Sequence, residues 1–237
     1  MPHSTISLGL GLGGGKASTS SGSPGGGGGA FSNDYSLEFD GTNDYISLAS
    51  MVTLSSEFSL SFWVKPDRNN NNILGNSSVT ANYLYTNSSG VLIMSGSFSA
   101  QTFTSCTIST GTWTHVAITR DGSNELKCYK NGSLTDTKTS ISAAFAFNQL
   151  SNYNSLDNQF DGNMDEVAVF SSALSASDVT AIYNSGVPAS LSSLNPLGWW
   201  RMGDNDGGTG TTITDQGSGS NDGTLQNGPT YSTDVPS

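Results

Sequence analysis

Residues 58–65 read FSLSFWVK, and this stretch decides the fold class. Every second residue is apolar and falls on one face of an extended chain: Phe58, Leu60, Phe62 and Val64. Trp63 points to the opposite face. An alternation with period two is typical of a strand with a buried face, so we predict a β-strand here.

The sequence on both sides of this strand consists of short apolar segments separated by Asn, Gly, Ser and Asp clusters, which favour turns. WTHVAITR (113–120) and LKCYK (126–130) are joined by a DGSN turn and are predicted to form a hairpin. Seven further strands are predicted at YSLEF, DYIS, NILG, YLYT, VLIM, GSLTDTKT and MDEVAVF. Short strands at this spacing indicate an all-β sandwich of antiparallel sheets.

One short helix is predicted in LSASDVTAIYNSG, from about Ala176 to Asn184. Ser175 and Asp178 have the spacing of a capping box, and Gly186 is expected to supply the left-handed stop. Three apolar residues at helical spacing are expected to pack on a sheet edge: Val179, Ile182 and Tyr183.

The composition divides the chain into three parts. Residues 1–30 are rich in Gly and Ser and offer little apolar surface, which predicts an extended arm rather than a packed unit. Residues 31–190 are predicted to form the sandwich. Residues 191–237 are predicted to add strands or a hairpin that completes or flanks it.

The charge distribution excludes two classes of partner. The formal net charge is −11 and there are only eight Lys and Arg residues, whereas nucleic-acid binding requires clustered basic residues. No apolar run approaches the length of a membrane span, so we expect no membrane insertion. The N-terminus lacks the pattern of a secretory signal, and we expect no export by that route.

The two cysteines, Cys106 and Cys128, are too few and too far apart for a zinc site or a CxxC redox pair. We interpret both as small buried apolar residues. The alternative is a disulfide across neighbouring strands.

Five segments, in this order, resemble a laminin-G-like domain: EFDGTNDYISL (38–48), FSLSFWVKP (58–66), GTWTHVAITRDG (111–122), CYKNG (128–132) and FDGNMDEVAVFSSALSASDVTAIYNSG (160–186). The resemblance implies a concanavalin A-like jelly roll of two antiparallel sheets. The stretch 197–228 resembles a piece that precedes the first strand in many such domains. Here it follows the last strand, so it either completes the sandwich in permuted order or packs as an added hairpin.

Concanavalin A-like folds include glycosidases, whose retaining mechanism needs two carboxyl groups about 5 Å apart. The nearest pair, Asp165 and Glu166, is adjacent in sequence and is predicted to point to opposite faces of a strand. His115 lies in a predicted strand with no obvious nucleophile nearby, and we interpret it as structural. GxSxG and HExxH motifs are absent. We therefore predict that the protein is not an enzyme.

The resemblance also implies calcium, which many laminin-G-like domains bind at the sandwich rim through oxygen ligands. The residues in matching motifs are Asp40, Asp44 and Asp165. The alternative is that Asp40 serves the Asp-Gly turn while Asp165 caps backbone amides. A second acidic group lacks the spacing of an EF-hand: Asp204, Asp206 and Asp215.

Sugar binding requires aromatic rings beside polar groups, because a pyranose has an apolar face and hydroxyl edges. Five aromatic residues are candidates for glycan binding: Tyr83, Tyr85, Tyr153, Trp199 and Trp200. The alternative is that each packs in the core or at the rim. Trp199 and Trp200 cannot both face inward on a regular strand, so one is expected to meet solvent, the arm or a neighbouring subunit.

Gly-rich arms before laminin-G-like domains resemble those of marine bacteriophage structural proteins, which are made in the host cytoplasm and need no export signal. Four apolar residues of the arm alternate with Ser or Gly and would suit strand addition to another protein, as an assembly anchor: Ile6, Leu8, Leu10 and Leu12. The alternative is a flexible spacer.

The resemblance thus implies a virion structural or decoration protein. Its arm would dock on the head or tail, and its jelly roll would face outward, present in many copies or as a homo-oligomer, for contact with host glycans. The alternatives are a free carbohydrate-binding adhesin and, third, a glycosidase.

Overall fold

Two antiparallel sheets pack against each other in the computed structural model, which describes residues 31–79, 81–152 and 158–237. Sheet A contains, from edge to edge, β10 (Ser133–Lys138), β9 (Leu126–Lys130), β8 (Thr114–Arg120), β3 (Phe58–Pro66), β12 (Asp161–Phe170), β1 (Ser36–Asp40) and β16 (Thr230–Ser232), with β13 (Gly198–Trp200) beside β12. Sheet B contains β14 (Thr212–Ile213), β15 (Gly223–Gln226), β2 (Tyr45–Leu54), β11 (Phe145–Leu150), β4 (Asn72–Gly75), β5 (Tyr83–Thr86), β6 (Val91–Ser95) and β7 (Gln101–Thr107). The predicted all-β jelly-roll sandwich is confirmed.

The C-terminal segment contributes strands to both sheets. β13 and β16 join sheet A, whereas β14 and β15 extend sheet B from β2. Residues 31–237 form one compact unit, so 191–237 is part of the sandwich rather than a separate hairpin on its surface. Of the two alternatives, the structure shows completion of the sandwich.

The main core lies between the sheets and takes the inward residues of both. Phe58, Phe62 and the other apolar residues of that face of β3 are buried there, as predicted. Cys106 on β7 and Cys128 on β9 are both buried and unoxidised in the same core. They therefore act as small apolar residues, and burial raises the pKa of the Cys128 thiol.

A helix, α1 (Ala176–Tyr183), follows β12. The capping box is present: the Ser175 side chain accepts a hydrogen bond from the backbone N–H of Asp178, and the Asp178 carboxylate accepts one from the backbone N–H of Ser175. The left-handed residue at the end is Asn184, with φ 45°, and not Gly186 as predicted. Asparagine tolerates this conformation, so the helix ends two residues earlier than a glycine stop requires.

The helix covers the outer face of sheet A next to its edge strand β10, in agreement with the expected packing at a sheet edge. Val179 and Ile182 of α1 are buried in a second apolar cluster. The sheet residues and neighbouring chain in this cluster are Ala117, Tyr129, Ala168, Phe170, Leu174, Leu191 and Trp199. Sheet A is thereby buried on both faces in this region. Within the described residues, no helix has the length and apolar character needed to cross a membrane.

His115 is fully buried on β8, beside the rings of Trp63 and Tyr183, with centroid separations of 5.1 and 6.0 Å. Its Nε2 lies 2.9 Å from the hydroxyl of Ser61. Burial lowers the pKa of His115 to about 3, so the ring is neutral at physiological pH.

This burial predicts a pH effect on stability. The unfolded chain binds a proton at His115 near the ordinary pKa of 6.5, whereas the folded chain resists it down to about 3. The contribution of His115 to the free energy of unfolding is thus fully present above pH 6.5. It decreases as the pH falls, by about 2 kcal/mol between pH 7 and pH 5. His115→Gln removes this titration, so its unfolding free energy, measured with urea at both pH values, is expected to change by about 2 kcal/mol less than that of the wild type. Equal pH changes in the two proteins would contradict a neutral buried histidine.

Candidate functional site

The outer face of sheet B carries two tyrosines side by side. Tyr83 and Tyr85 flank Leu84, which is buried in the core, so both phenol rings point away from it. The ring centroids are 5.3 Å apart with an interplanar angle of 69°. The two residues are half-buried, and part of each ring is open to solvent. The structure therefore places together two of the residues that the sequence singled out for glycan binding.

The tyrosines line a pocket of about 160 Å³ with Asn72 and Asn158. Asn72 is the ladder partner of Tyr85. Its backbone N–H donates to the carbonyl of Asn158 at 2.7 Å. The side-chain amide of Asn70 donates to the Asn158 side-chain oxygen at 2.6 Å, which fixes the loop against β4. The pocket thus combines two aromatic rings with two amide side chains.

Strand register extends this surface beyond the pocket. Gly75 pairs with Tyr83 on one side and with Gln149 on the other, and Gln149 pairs with Ser47. Because cross-strand partners share a face, these residues form one row on the outer surface. The Gln149 side-chain oxygen is buried without a hydrogen-bond partner.

Sequence analysis missed Asn72, Asn158 and Gln149 because strand register and loop packing, rather than a motif, bring them to the tyrosines. It also missed Tyr45, which alternates with the buried residues Ile46 and Leu48 and so lies on the outer face of sheet B. The alternation in DYIS was the available signal.

Two groups of predicted site residues lie outside the described part of the chain. One is Tyr153. The other is the proposed assembly anchor in the arm, namely Ile6, Leu8, Leu10 and Leu12.

Trp199 and Trp200 do not lie at this site. Trp200 is 1% exposed in the core between the sheets, and Trp199 is 5% exposed on the opposite face of β13. The Trp199 ring is covered by the cluster beneath α1 and by Phe31, at a centroid separation of 6.4 Å. The expectation that one of the pair meets solvent is therefore wrong, because the helix layer and Phe31 cover the outer side of β13. The arm lies outside the described residues.

A buried acidic cluster lies near Trp199. Asp165, Glu166 and Asp204 each offer an oxygen within 4.8 Å of the others, and Asp165 and Glu166 are 0% and 3% exposed. The prediction that Asp165 and Glu166 point to opposite faces is wrong. A β-bulge interrupts β12 at this point, and Glu166 adopts a φ of 48°, which turns its side chain toward its neighbour.

Arg201 compensates this cluster. Its guanidinium donates to Glu166 at 2.9 Å and to Asp204 at 3.1 Å. Trp199 donates its indole N–H to Glu166 at 2.5 Å, and Asn33 donates to Asp165 at 2.9 Å. Every carboxylate of the cluster is therefore engaged with a donor from the protein.

The cluster also binds the backbone just before β1. Asp204 accepts hydrogen bonds from the backbone N–H groups of Asp34 and Tyr35 at 2.7 and 3.1 Å. Burial raises the pKa of Asp165 well above its usual range and that of Glu166 to about 7, even though Arg201 opposes the shift at Glu166. These carboxyl groups are closed off from substrate and are not arranged as an accessible glycosidase pair.

The three residues predicted for calcium do not converge. Asp44 accepts a hydrogen bond from the backbone N–H of Asp40 at 3.1 Å, and Asp40 accepts one from Thr42 at 2.8 Å, as in a capped turn. Asp165 belongs instead to the cluster with Glu166. These residues therefore do not fit one calcium ion.

The three residues of the second acidic group bind different partners. Asp204 pairs with Arg201, whereas Asp206 accepts from the hydroxyl of Thr214 at 2.5 Å. Asp215 accepts from the backbone N–H groups of Trp199 and Gly217, each at 2.7 Å. Each carboxylate thus has its own set of donors, and the three do not form one site.

Comparison with known proteins agrees with this architecture. Residues 40–180, more than half of the chain, match the family model of the concanavalin A-like lectin/glucanases superfamily, which confirms the laminin-G-like resemblance. No curated protein matches significantly in sequence.

Two solved structures share the fold. One is a protein from Bacteroides ovatus ATCC 8483 to which carbohydrate binding has been provisionally assigned, with a TM-score of 0.65 and 22% identity over 87% of this chain and 62% of that one. The other is the heptameric SAP-like pentraxin from Limulus polyphemus, with a TM-score of 0.51 and 16% identity over 64% of this chain and 82% of that one. The chain thus spans less than two thirds of the Bacteroides protein. At these identities the fold is what is shared.

Proposed function

Because the chain belongs to the concanavalin A-like lectin/glucanases superfamily, we propose that it is a non-enzymatic carbohydrate-binding protein whose site is the tyrosine pocket of sheet B. The observation that carries this proposal is the arrangement of Tyr83 and Tyr85 around a pocket completed by Asn72 and Asn158. The fold-level likeness to the Bacteroides ovatus protein supports it.

The chemistry of the pocket suits a pyranose. Exposed parts of the Tyr83 and Tyr85 rings offer apolar surface to the C–H face of a sugar. The amide of Asn158 is exposed and can donate and accept hydrogen bonds, as can sugar hydroxyls. A few convergent polar groups beside aromatic surface are the usual composition of a small-molecule site.

Substitution of the tyrosines tests this site. Tyr83→Ala and Tyr85→Ala are each expected to weaken glycan binding at least about 10-fold, because aromatic anchors contribute most of the binding energy at such sites. Tyr83→Phe keeps the ring and is expected to retain most of the affinity. Binding is measured by affinity electrophoresis in gels containing soluble polysaccharides and then by calorimetry with the polysaccharide that retards the wild type.

Trp113→Ala is the matched control, since Trp113 is also a half-buried aromatic residue but precedes β8 of sheet A. It is expected to bind like the wild type. Equal weakening by Trp113→Ala and Tyr83→Ala, or retention of affinity by both tyrosine variants, would place the site elsewhere.

The proposal that the protein is not an enzyme rests on the burial of Asp165 and Glu166, which belong to the one group of three converging carboxylates in the described chain. Reducing-end assays on polysaccharides that bind are expected to show no turnover. Any turnover that disappears with Glu166→Gln would overturn this part of the proposal.

We further propose that the protein is a structural or decoration protein of a bacteriophage particle, anchored by residues 1–30. The support is the alternation of Ile6, Leu8, Leu10 and Leu12 with small residues, which suits strand addition. The jelly roll would then be displayed on the particle for contact with host glycans. Deletion of residues 1–30 is expected to abolish incorporation into particles while glycan binding persists. Normal incorporation of the deleted protein would favour the free adhesin.

A further inference from the structure

The charged residues of the strands are distributed unequally between the two sheets. In the described strands, every Asp, Glu, Lys and Arg residue belongs to sheet A, and so does the only strand histidine. The eight strands of sheet B contain none of them. The described strands of sheet B therefore carry only uncharged side chains, although the chain as a whole has a net charge of −11.

The register of sheet B places uncharged residues in a continuous row across its outer face, in which Ser47 and Thr224 are accessible whereas Gln149 and Ser95 are 8% and 7% exposed. The pairs run from strand to strand through Thr224, Ser47, Gln149, Gly75, Tyr83 and Ser95. Adjacent strands lie about 4.8 Å apart, so the row crosses six strands over about 24 Å. The tyrosine pocket lies at one part of this row, and the hydroxyl and amide groups continue well beyond it.

Arg68, in the loop before β4, is already paired. Arg68 donates to the carbonyl of Gln159, which follows Asn158, and to that of Gly41. Its guanidinium also lies 3.1 Å from a carboxylate oxygen of Asp161. This cation is therefore balanced by a carboxylate and is not a free partner for an acidic sugar.

From this row we infer that the ligand is an uncharged oligosaccharide that lies across the strands of sheet B, with one sugar in the tyrosine pocket. The inference rests on the proposed function. Recognition of a carboxylate or sulfate normally uses Arg or Lys in direct contact, and sheet B offers neither. The negative net charge of the chain opposes the approach of an acidic polysaccharide as well. Hydroxyl and amide side chains, in contrast, match the neutral hydroxyl groups of an uncharged chain.

The test combines a glycan panel with a variant far from the pocket. The probes are neutral glucans, mannans and galactans, with polygalacturonate and sialyllactose as acidic probes. We expect binding only to neutral probes, with an affinity that changes less than twofold between 50 and 500 mM NaCl, as roughly expected without ion pairing. Ser47→Trp is expected to weaken polysaccharide binding at least about fivefold and to leave a monosaccharide of the same sugar unaffected, because Ser47 is three positions along the row from Tyr83.

Ser133→Trp is the matched control, since it introduces the same ring at an exposed position on β10 of sheet A. It is expected to bind like the wild type. If Tyr83→Ala abolishes binding but Ser47→Trp does not alter it, the ligand is confined to the pocket, and the inference fails while the proposed function stands. Binding of acidic probes only, with affinity that falls in salt, would likewise overturn the inference alone. If the wild type binds no probe, both fail.

Discussion

Arg201→Met is expected to lower the free energy of unfolding by about 3–5 kcal/mol at neutral pH, because it removes the cation that contacts the buried carboxylates of Glu166 and Asp204. The cost depends on pH. The folded-state pKa of Glu166 is raised to about 7 from the ordinary 4.5, so protonation of Glu166 favours the folded chain. The stability that this protonation provides is lost as the pH rises from 4.5 through 7. Without Arg201 the pKa of Glu166 rises further. Urea unfolding at pH 5 and pH 8 is therefore expected to show the larger loss at pH 8.

Two comparisons separate charge from packing. Lys127→Met removes a cation from the exposed pairs with Asp121 and Glu125 and is expected to cost less than about 1 kcal/mol. Adding Glu166→Gln to Arg201→Met neutralises one of the stranded carboxylates and is expected to restore part of the loss. A double variant no more stable than Arg201→Met, with no pH dependence, would show that Arg201 acts through packing alone.

Trp200→Ala is expected to cost about 3–5 kcal/mol, which is a large part of the stability of an ordinary domain. Trp200 is among the largest fully buried side chains, and its indole N–H donates to the carbonyl of Asn221 at 2.9 Å. The backbone of β13 packs closely against this ring, because a Cβ at Gly198 would come within 2.6 Å of it. The measurement is the urea midpoint followed by circular dichroism, since the variant also loses a fluorophore.

Trp200→Phe fills part of the same space and is expected to lose less than the alanine variant. Trp113→Ala, at a half-buried position, is the control for loss of a tryptophan outside the core. If Trp200→Ala cost no more than Trp113→Ala, the C-terminal segment would not be part of the core, and the packing between the sheets described above would be wrong.

The fold could be predicted from the sequence largely because period-two alternation is local. FSLSFWVK, the hairpin after Trp113 and the capping box at Ser175 each contain the information for their own element. Alternation does not reveal that a second layer, formed by α1 and its neighbours, covers the outer face of sheet A. Both faces of β13 are buried because α1 lies over sheet A, and that placement depends on residues far apart in sequence.

The candidate site was predicted only in part, for a related reason. Tyr83 and Tyr85 could be recognised as aromatic candidates from their type, but Asn158 reaches them through a loop and Gln149 through strand register. The backbone geometry at Glu166 was equally invisible, because a positive φ in a glutamate within a strand contradicts the usual residue preference. The buried acidic cluster follows from that single departure from regular alternation.

The position of β1 has a consequence for how the protein is made. This strand lies between β12 and β16, and the hydroxyl of Ser36 donates to the carbonyl of Asp234, 198 residues later. During translation, β1 therefore leaves the ribosome long before its second neighbour exists. Its edge remains able to pair with the strands of other nascent chains during that interval. Final closure of sheet A must wait until residues 230–232 have emerged, after the other strands of the sheet have left the ribosome.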